Sequence, residues 1–150
     1  MIAVIQRVSE ARVTIGDEIK GQIGIGFLVL LGITHTDTEE DLDWLAKKII
    51  GMRIFSDREG KMNLDLAAIN GNVLLISQFT LYASTKKGNR PSFLEAARPE
   101  TAIPLYDKMK ARLSQEMGKN VESGIFGADM KVALVNDGPV TIILDSKNKV

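Results

Sequence analysis

GIGFLVLLGI, residues 24–33, is the stretch on which the fold turns. From Phe27 to Ile33 it is apolar without alternation, the pattern of a strand covered on both faces rather than one with a wet side. Gly24 and Gly26 do not begin a dinucleotide-binding fingerprint, because Val29 stands where the third glycine would be and no helical pattern follows. They read as turn and bulge residues.

Upstream, Ile2–Val8 and Ala11–Ile15 read as strands, and Gly16-Asp17-Glu18 reads as a tight turn into a strand over Ile19–Ile23, an antiparallel meander. Downstream, Thr38 is a helix N-cap with Asp41 three residues on. Acidic residues fill the first turn, and Leu42, Leu45, Ile49 and Ile50 recur at helical spacing until Gly51. MRIF (52–55) then reads as a short strand, SDREGK (56–61) as a polar turn and Asn70-Gly71 as a hairpin-type turn. NVLLISQF (72–79) is the next strand. A second helix carries Leu105, Tyr106, Met109, Leu113 and Met117 on one face up to Gly118, opened by Pro99 or Pro104. Residues 120–129 form a glycine-containing hairpin or loop, and KVALVNDGPVTIIL (131–144) is a strand with a fault in its middle. The order is strands, helix, strands, helix, strands.

A chain of 150 residues fits one domain over 1–150 and buries roughly two thirds of its unfolded surface. With 45% hydrophobic and 25% charged residues it has the composition of an ordinary soluble globular protein. No apolar run reaches the ~18 residues of a membrane span, and MIAVIQRV enters a strand pattern with no basic leader, so no membrane partner and a cytoplasmic location are expected. The absence of cysteine excludes disulfides, thiolate metal sites and cysteine nucleophiles, and a single histidine, His35, excludes a His-rich metal centre. No metal and no cofactor are expected, and His35 reads as a loop residue. A hydrolase of this composition must draw its catalytic groups from hydroxyls, backbone or substrate.

The formal net charge is zero, which speaks against coating long nucleic acid, DNA included, through many phosphate contacts. Between Thr85 and Arg112, however, seven cations face three anions. That run is either a solvated face or a place for a few phosphates.

Two local anomalies stand out. The first is Ser77-Gln78-Phe79-Thr80: read as a strand, it sets Gln78 and Thr80 on one face, with Ser77, Phe79 and Leu81 on the other. This is either an edge strand with one wet face or a reactive rim, and it leads into the basic loop STKKGNRPSF. The second is NDGPVT (136–141), where proline inside a good strand demands an edge, a bulge or a break. A hairpin turn at Asp137-Gly138 and a break exposing carbonyls to a ligand both satisfy that demand.

Together SQFTL (77–81), GPVT (138–141) and IQRV (5–8) closely resemble the D-aminoacyl-tRNA deacylase family, formerly the D-tyrosyl-tRNA deacylases. RIFSD (53–57), GKMN (60–63) and RPSF (90–93) extend the resemblance along essentially the whole chain. It implies an α+β fold, a rolled, largely antiparallel and barrel-like sheet with two main flanking helices, in a homodimer with active sites at the subunit interface. It implies hydrolysis of the ester between a D-amino acid and the terminal adenosine of tRNA, with glycyl-tRNA as a further substrate. Ser77, Gln78, Phe79, Thr80 and Leu81 would then line the pocket for adenosine and ester. Gly138-Pro139 would be a cis dipeptide from the partner subunit, with Val140 and Thr141 beside it and Arg7 holding it in place. Amides around Phe79 and Thr80 are the expected oxyanion donors, Thr80 is ranked as a positioner above a nucleophile, and the ribose 2′-hydroxyl is expected to help activate water. Contact with tRNA would be confined mostly to its single-stranded 3′ end, with Lys86, Lys87 and Arg90 acting on affinity. A threonine-dependent esterase or amidase for small metabolites and a non-catalytic RNA-end binding module are the rival readings.

Overall fold

The computed structural model describes residues 1–150. In chain order its elements are β1 (Ile2–Ile15), β2 (Glu18–Ile23), β3 (Gly26–Gly32), α1 (Glu39–Gly51), β4 (Phe55–Ser56), β5 (Met62–Leu64), β6 (Asn72–Ser77), a 3₁₀ turn (Phe79–Tyr82), α2 (Pro99–Met117), β7 (Glu122–Ser123) and β8 (Lys131–Asp145).

β1 organises the sheet because it is long enough to serve two neighbours on one edge. It pairs antiparallel with β3 from Ile2↔Gly32 to Val8↔Gly26, then with β2 from Ala11↔Ile23 to Ile15↔Glu18. Its other edge carries β8, from Ile2↔Asp145 to Thr14↔Lys131. The two strands read at 2–8 and 11–15 are thus one strand, bent by register shifts around Val8, and such irregularities sharpen local twist. Beyond β3 the sheet changes sense: β6 pairs parallel with β3, and β7 parallel with β6. The bend brings β2 over β6 and β7, where a Cβ on Gly21 would lie 3.1 Å from both Leu74 Cδ1 and the Ser123 carbonyl. Only glycine lets the roll close so nearly.

The unbroken apolar runs follow from this geometry. Phe27, Val29 and Leu31 of β3, with Val73 and Leu75 of β6, face a cluster shared with Leu42, Leu45 and Ile49 of α1 and Leu105, Met109 and Leu113 of α2. Leu28, Leu74 and Ile76 point the other way, into the roll, against Val8, Val13 and Ile23. Both faces are buried, so alternation disappears from the sequence.

Three local expectations are corrected, and at 120–129 the loop alternative holds. MRIF contributes only Phe55–Ser56 to a two-stranded pair with β5. Asn70-Gly71 does turn the chain, with Asn70 at φ 51°, but the strand it launches pairs with β3, not with the strand before it. Residues 120–129 are mostly loop, with Glu122–Ser123 added to β6. NVLLISQF stops being a strand at Ser77. Pro99, at the N-terminus of α2, is the proline that opens it, while Pro104 lies inside the helix on its exposed side.

At the start of α1 the Thr38 N–H donates to Asp41 Oδ2 at 2.9 Å, and Lys147 Nζ donates to the same oxygen at 2.8 Å. Burial opposes ionisation of Asp41, but the bonds from Lys147, Thr38 and Ser146 and the charge of Lys147 outweigh it and hold the carboxyl well below the usual range. Since the folded-state value lies below the unfolded one near ~4, the stabilisation is full above about pH 5 and fades as pH falls further. Asp41→Asn is expected to lower the melting temperature at neutral pH and to converge on wild type in strong acid. A gap that stays constant from pH 7 to pH 2 would rule this out.

Candidate active site

The carboxyl ends of the parallel pair β3 and β6 form one rim of the roll, the end of parallel strands at which ligands bind in open α/β sheets. There the Gln78 N–H donates to the Leu31 carbonyl at 2.8 Å, and the chain winds at once into the 3₁₀ turn instead of continuing as a strand. The cause lies in β3: a Cβ on Gly32 would stand 3.0 Å from Leu81 Cβ and 3.2 Å from the Gln78 carbonyl. The turn rests directly on that glycine, which sequence reasoning did not single out.

Winding changes which side chains meet. Gln78 and Thr80 were expected on one face of a strand; they do meet, but across the turn, where Gln78 Nε2 donates to Thr80 Oγ1 at 2.5 Å. Inside the turn the Leu81 N–H bonds the Gln78 carbonyl at 3.3 Å, and the Ala83 N–H bonds the Thr80 carbonyl at 3.1 Å. The amides of Phe79 and Thr80 therefore stand at its open N-terminal end, where helical N–H groups have no partner within the turn. Phe79 is 55% exposed and meets Phe93 edge-to-face at 5.1 Å. Ser77 and Leu81 are half-buried beside it.

The basic loop is folded back on itself by reciprocal bonds between Ser84 and Ser92, at 2.8 and 2.9 Å. It surrounds a shallow cavity of about 290 Å³ lined by Lys86, Lys87 and Arg90 together with Leu94 and Glu95. None of the three cations is in an ion pair, whereas Lys108 and Arg112 of α2 pair with Glu39, Asp43 and Glu116. His35 contacts the Leu94 carbonyl at 2.8 Å through Nε2 and so fastens the far end of this loop.

NDGPVT lies elsewhere. Gly138-Pro139 is cis and exposed, in a bulge of β8 opposite Arg7. Arg7 is buried; its Nε donates to the Asp137 carbonyl at 2.8 Å and its Nη1 to the Ile54 carbonyl at 2.6 Å. Val140 is buried behind the bulge, and Thr141 returns to the ladder opposite Gln6. The 3₁₀ turn, by contrast, sits at the level of Gly32, whose β1 partner is Ile2. The five residue steps from Ile2 to Arg7 separate the two motifs by roughly 16 Å along the strand direction. One chain does not bring them together.

The rim of this rolled α+β sheet thus offers open main-chain amides, a hydroxyl and a carboxamide, beside cations that are in no ion pair. Residues 4–145 match the family model described as D-Tyr-tRNA(Tyr) deacylase. The chain is 63% identical over 149 residues to the D-aminoacyl-tRNA deacylase of Cytophaga hutchinsonii and 58% identical over 149 residues to that of Flavobacterium psychrophilum, covering 99% of each chain in both cases. Among solved structures it is similar to one named c-Myc DNA Unwinding Element Binding Protein, with a TM-score of 0.91 and 40% identity, covering 97% of this chain and 98% of that one. A probable eukaryotic D-amino acid tRNA deacylase shares the fold at a TM-score of 0.82 and 17% identity, with 95% and 97% covered. The chain belongs to the D-Tyr-tRNA(Tyr) deacylase family.

Proposed function

We propose that this protein hydrolyses the ester joining a D-amino acid to the terminal adenosine of tRNA, releasing free D-amino acid and tRNA. The observation that carries the mechanism is the rim at Gln78–Thr80: two open amides beside a hydroxyl whose partner is a carboxamide. An amide N–H can donate to Thr80 Oγ1 but cannot take its proton, so this threonine lacks the base that a nucleophile needs. Thr80 then positions the substrate, the Phe79 and Thr80 amides receive the developing oxyanion, and water attacks with help from the ribose 2′-hydroxyl. Ser77, Gln78 and Leu81 line the pocket. Thr80→Ala is expected to slow cleavage about tenfold, the scale of one neutral hydrogen bond, and complete loss would restore the covalent reading.

Chirality is judged by the carbonyls of Gly138 and Pro139, supplied to the pocket by a partner subunit in a homodimer. The separation of the two motifs within one chain supports this, as does the unpaired outer edge of β8, where Val135 is 49% and Ile143 65% exposed. A backbone filter excludes an L side chain sterically and touches a D side chain little, which accounts for broad substrate tolerance and for glycyl-tRNA as a further substrate. With this substrate the protein works in the cytoplasm and takes no DNA partner. Cleavage of D-tyrosyl-tRNA but not L-tyrosyl-tRNA is the expected result. Equal cleavage of both points to a general esterase, and binding of tRNA ends without turnover points to a non-catalytic module.

The unpaired cations Lys86, Lys87 and Arg90 hold backbone phosphates of the 3′ strand. Replacing all three with alanine is expected to raise KM and leave kcat nearly unchanged, as loss of uniform binding does. For three single-strand phosphates the dependence of log KM on log salt should weaken by about 2. A fall in kcat with unchanged KM would place this loop in the chemistry instead.

A further inference from the structure

β8 leaves its ladder for four residues. Thr141 pairs with Gln6 and Asn136 with Val8, so Asp137, Gly138, Pro139 and Val140 stand opposite Arg7 alone. Main-chain groups that lose a ladder partner need another, and a loop of this size needs its neck closed. The side chain of Asn136 does both. Its Oδ1 accepts the Val140 N–H at 2.8 Å, while its Nδ2 donates to the Val140 carbonyl at 3.2 Å and to Thr141 Oγ1 at 3.3 Å. Chemistry fixes that orientation, since a main-chain N–H only donates and must face the amide oxygen. The carboxamide thus serves Val140 as the peptide of a neighbouring strand would. Arg7 holds the other foot of the loop, at the Asp137 carbonyl.

We propose that Asn136 is a positioning residue for chiral discrimination: by closing the neck of the Asp137–Val140 loop it fixes the height and direction of the Gly138 and Pro139 carbonyls. This rests on the deacylase reading above. No other residue type reproduces the contact: aspartate keeps the shape and the acceptor but loses both donated bonds, glutamine is one methylene too long for the same span, and alanine makes none of the three. Gly138 and Pro139 at the tip are exposed and only Val140 at the foot reaches the core, so melting measured beside the rates tells a loss of selectivity from a loss of fold.

The test compares Asn136→Ala and Asn136→Asp with wild type in single-turnover cleavage of D- and L-tyrosyl-tRNA, alongside amide hydrogen exchange at Val140 and thermal melting. The expected result is a D-over-L rate ratio lowered about tenfold or more in Asn136→Ala and less in Asn136→Asp, with faster Val140 exchange and a melting temperature within a few degrees of wild type. Asn136→Asp, which keeps size and the acceptor, decides the matter should Asn136→Ala fail to fold. Wild-type selectivity that survives in the folded variants, or unchanged Val140 exchange, overturns the role of Asn136 alone. A wild-type protein that cleaves both enantiomers equally overturns the deacylase reading and this role with it.

Discussion

Replacing Phe79 with proline is expected to lower kcat for D-aminoacyl-tRNA about 10²- to 10³-fold beyond the loss caused by Phe79→Ala. Both substitutions remove the ring, and only proline removes the N–H, so the difference isolates one main-chain donor. The backbone accepts the change. Gln78 has φ −144° and ψ 81°, outside the helical region that a residue preceding proline must avoid. Phe79 itself opens a 3₁₀ turn, whose φ matches the value the pyrrolidine ring imposes, and its N–H has no partner within the turn to lose. The measurement is a single-turnover rate with D-tyrosyl-tRNA for each variant, with far-UV circular dichroism to compare their folding. Rates within twofold of each other would move the oxyanion donor away from Phe79.

This donor was legible as a place but not as a geometry. FLVLLGI announces a strand buried on both faces because helices lie on one side of it and the roll on the other, and that two-sided burial is written directly into composition. The first helix is local in origin, its start written in Thr38 and Asp41, whereas the second offers two prolines at its start and only the fold shows that Pro99 opens it. QFTL is different. Four residues of 3₁₀ turn leave no periodicity to separate them from a strand, and the decision is taken by Gly32, more than forty residues earlier, which leaves room for the turn to settle. Asn70-Gly71 teaches the same lesson, since turn chemistry fixes a reversal and does not choose the partner of the strand that follows. Asn136 was passed over because glycine and proline dominate NDGPVT, while its carboxamide finds its partner four residues on only when the loop is closed.

Arg7→Ala is expected to reduce stability and selectivity together. The guanidinium is buried and bonds two carbonyls that belong to different parts of the chain, Asp137 in the β8 loop and Ile54 ahead of β4. A planar fork with several fixed donors suits that task, whereas a lysine ammonium on a flexible stem does not span both carbonyls at once. Removing the fork strips both carbonyls of a donor, at about 1–3 kcal/mol each. For a chain of this length that corresponds to a fall in melting temperature on the order of 10 °C. The loop loses the foot that faces the sheet, so the D-over-L ratio should drop at least about tenfold, equivalent to about 1.4 kcal/mol of lost discrimination. Arg7→Lys should recover part of the stability and little of the ratio, because one retained bond steadies the fold without fixing the direction of the loop. Melting curves and paired rates with D- and L-tyrosyl-tRNA check all three outcomes. If Arg7→Ala melted well below wild type and kept its full enantiomeric preference, Arg7 would be a structural tie between β1 and the segment before β4. The filter would then be held by Asn136 and the partner subunit alone.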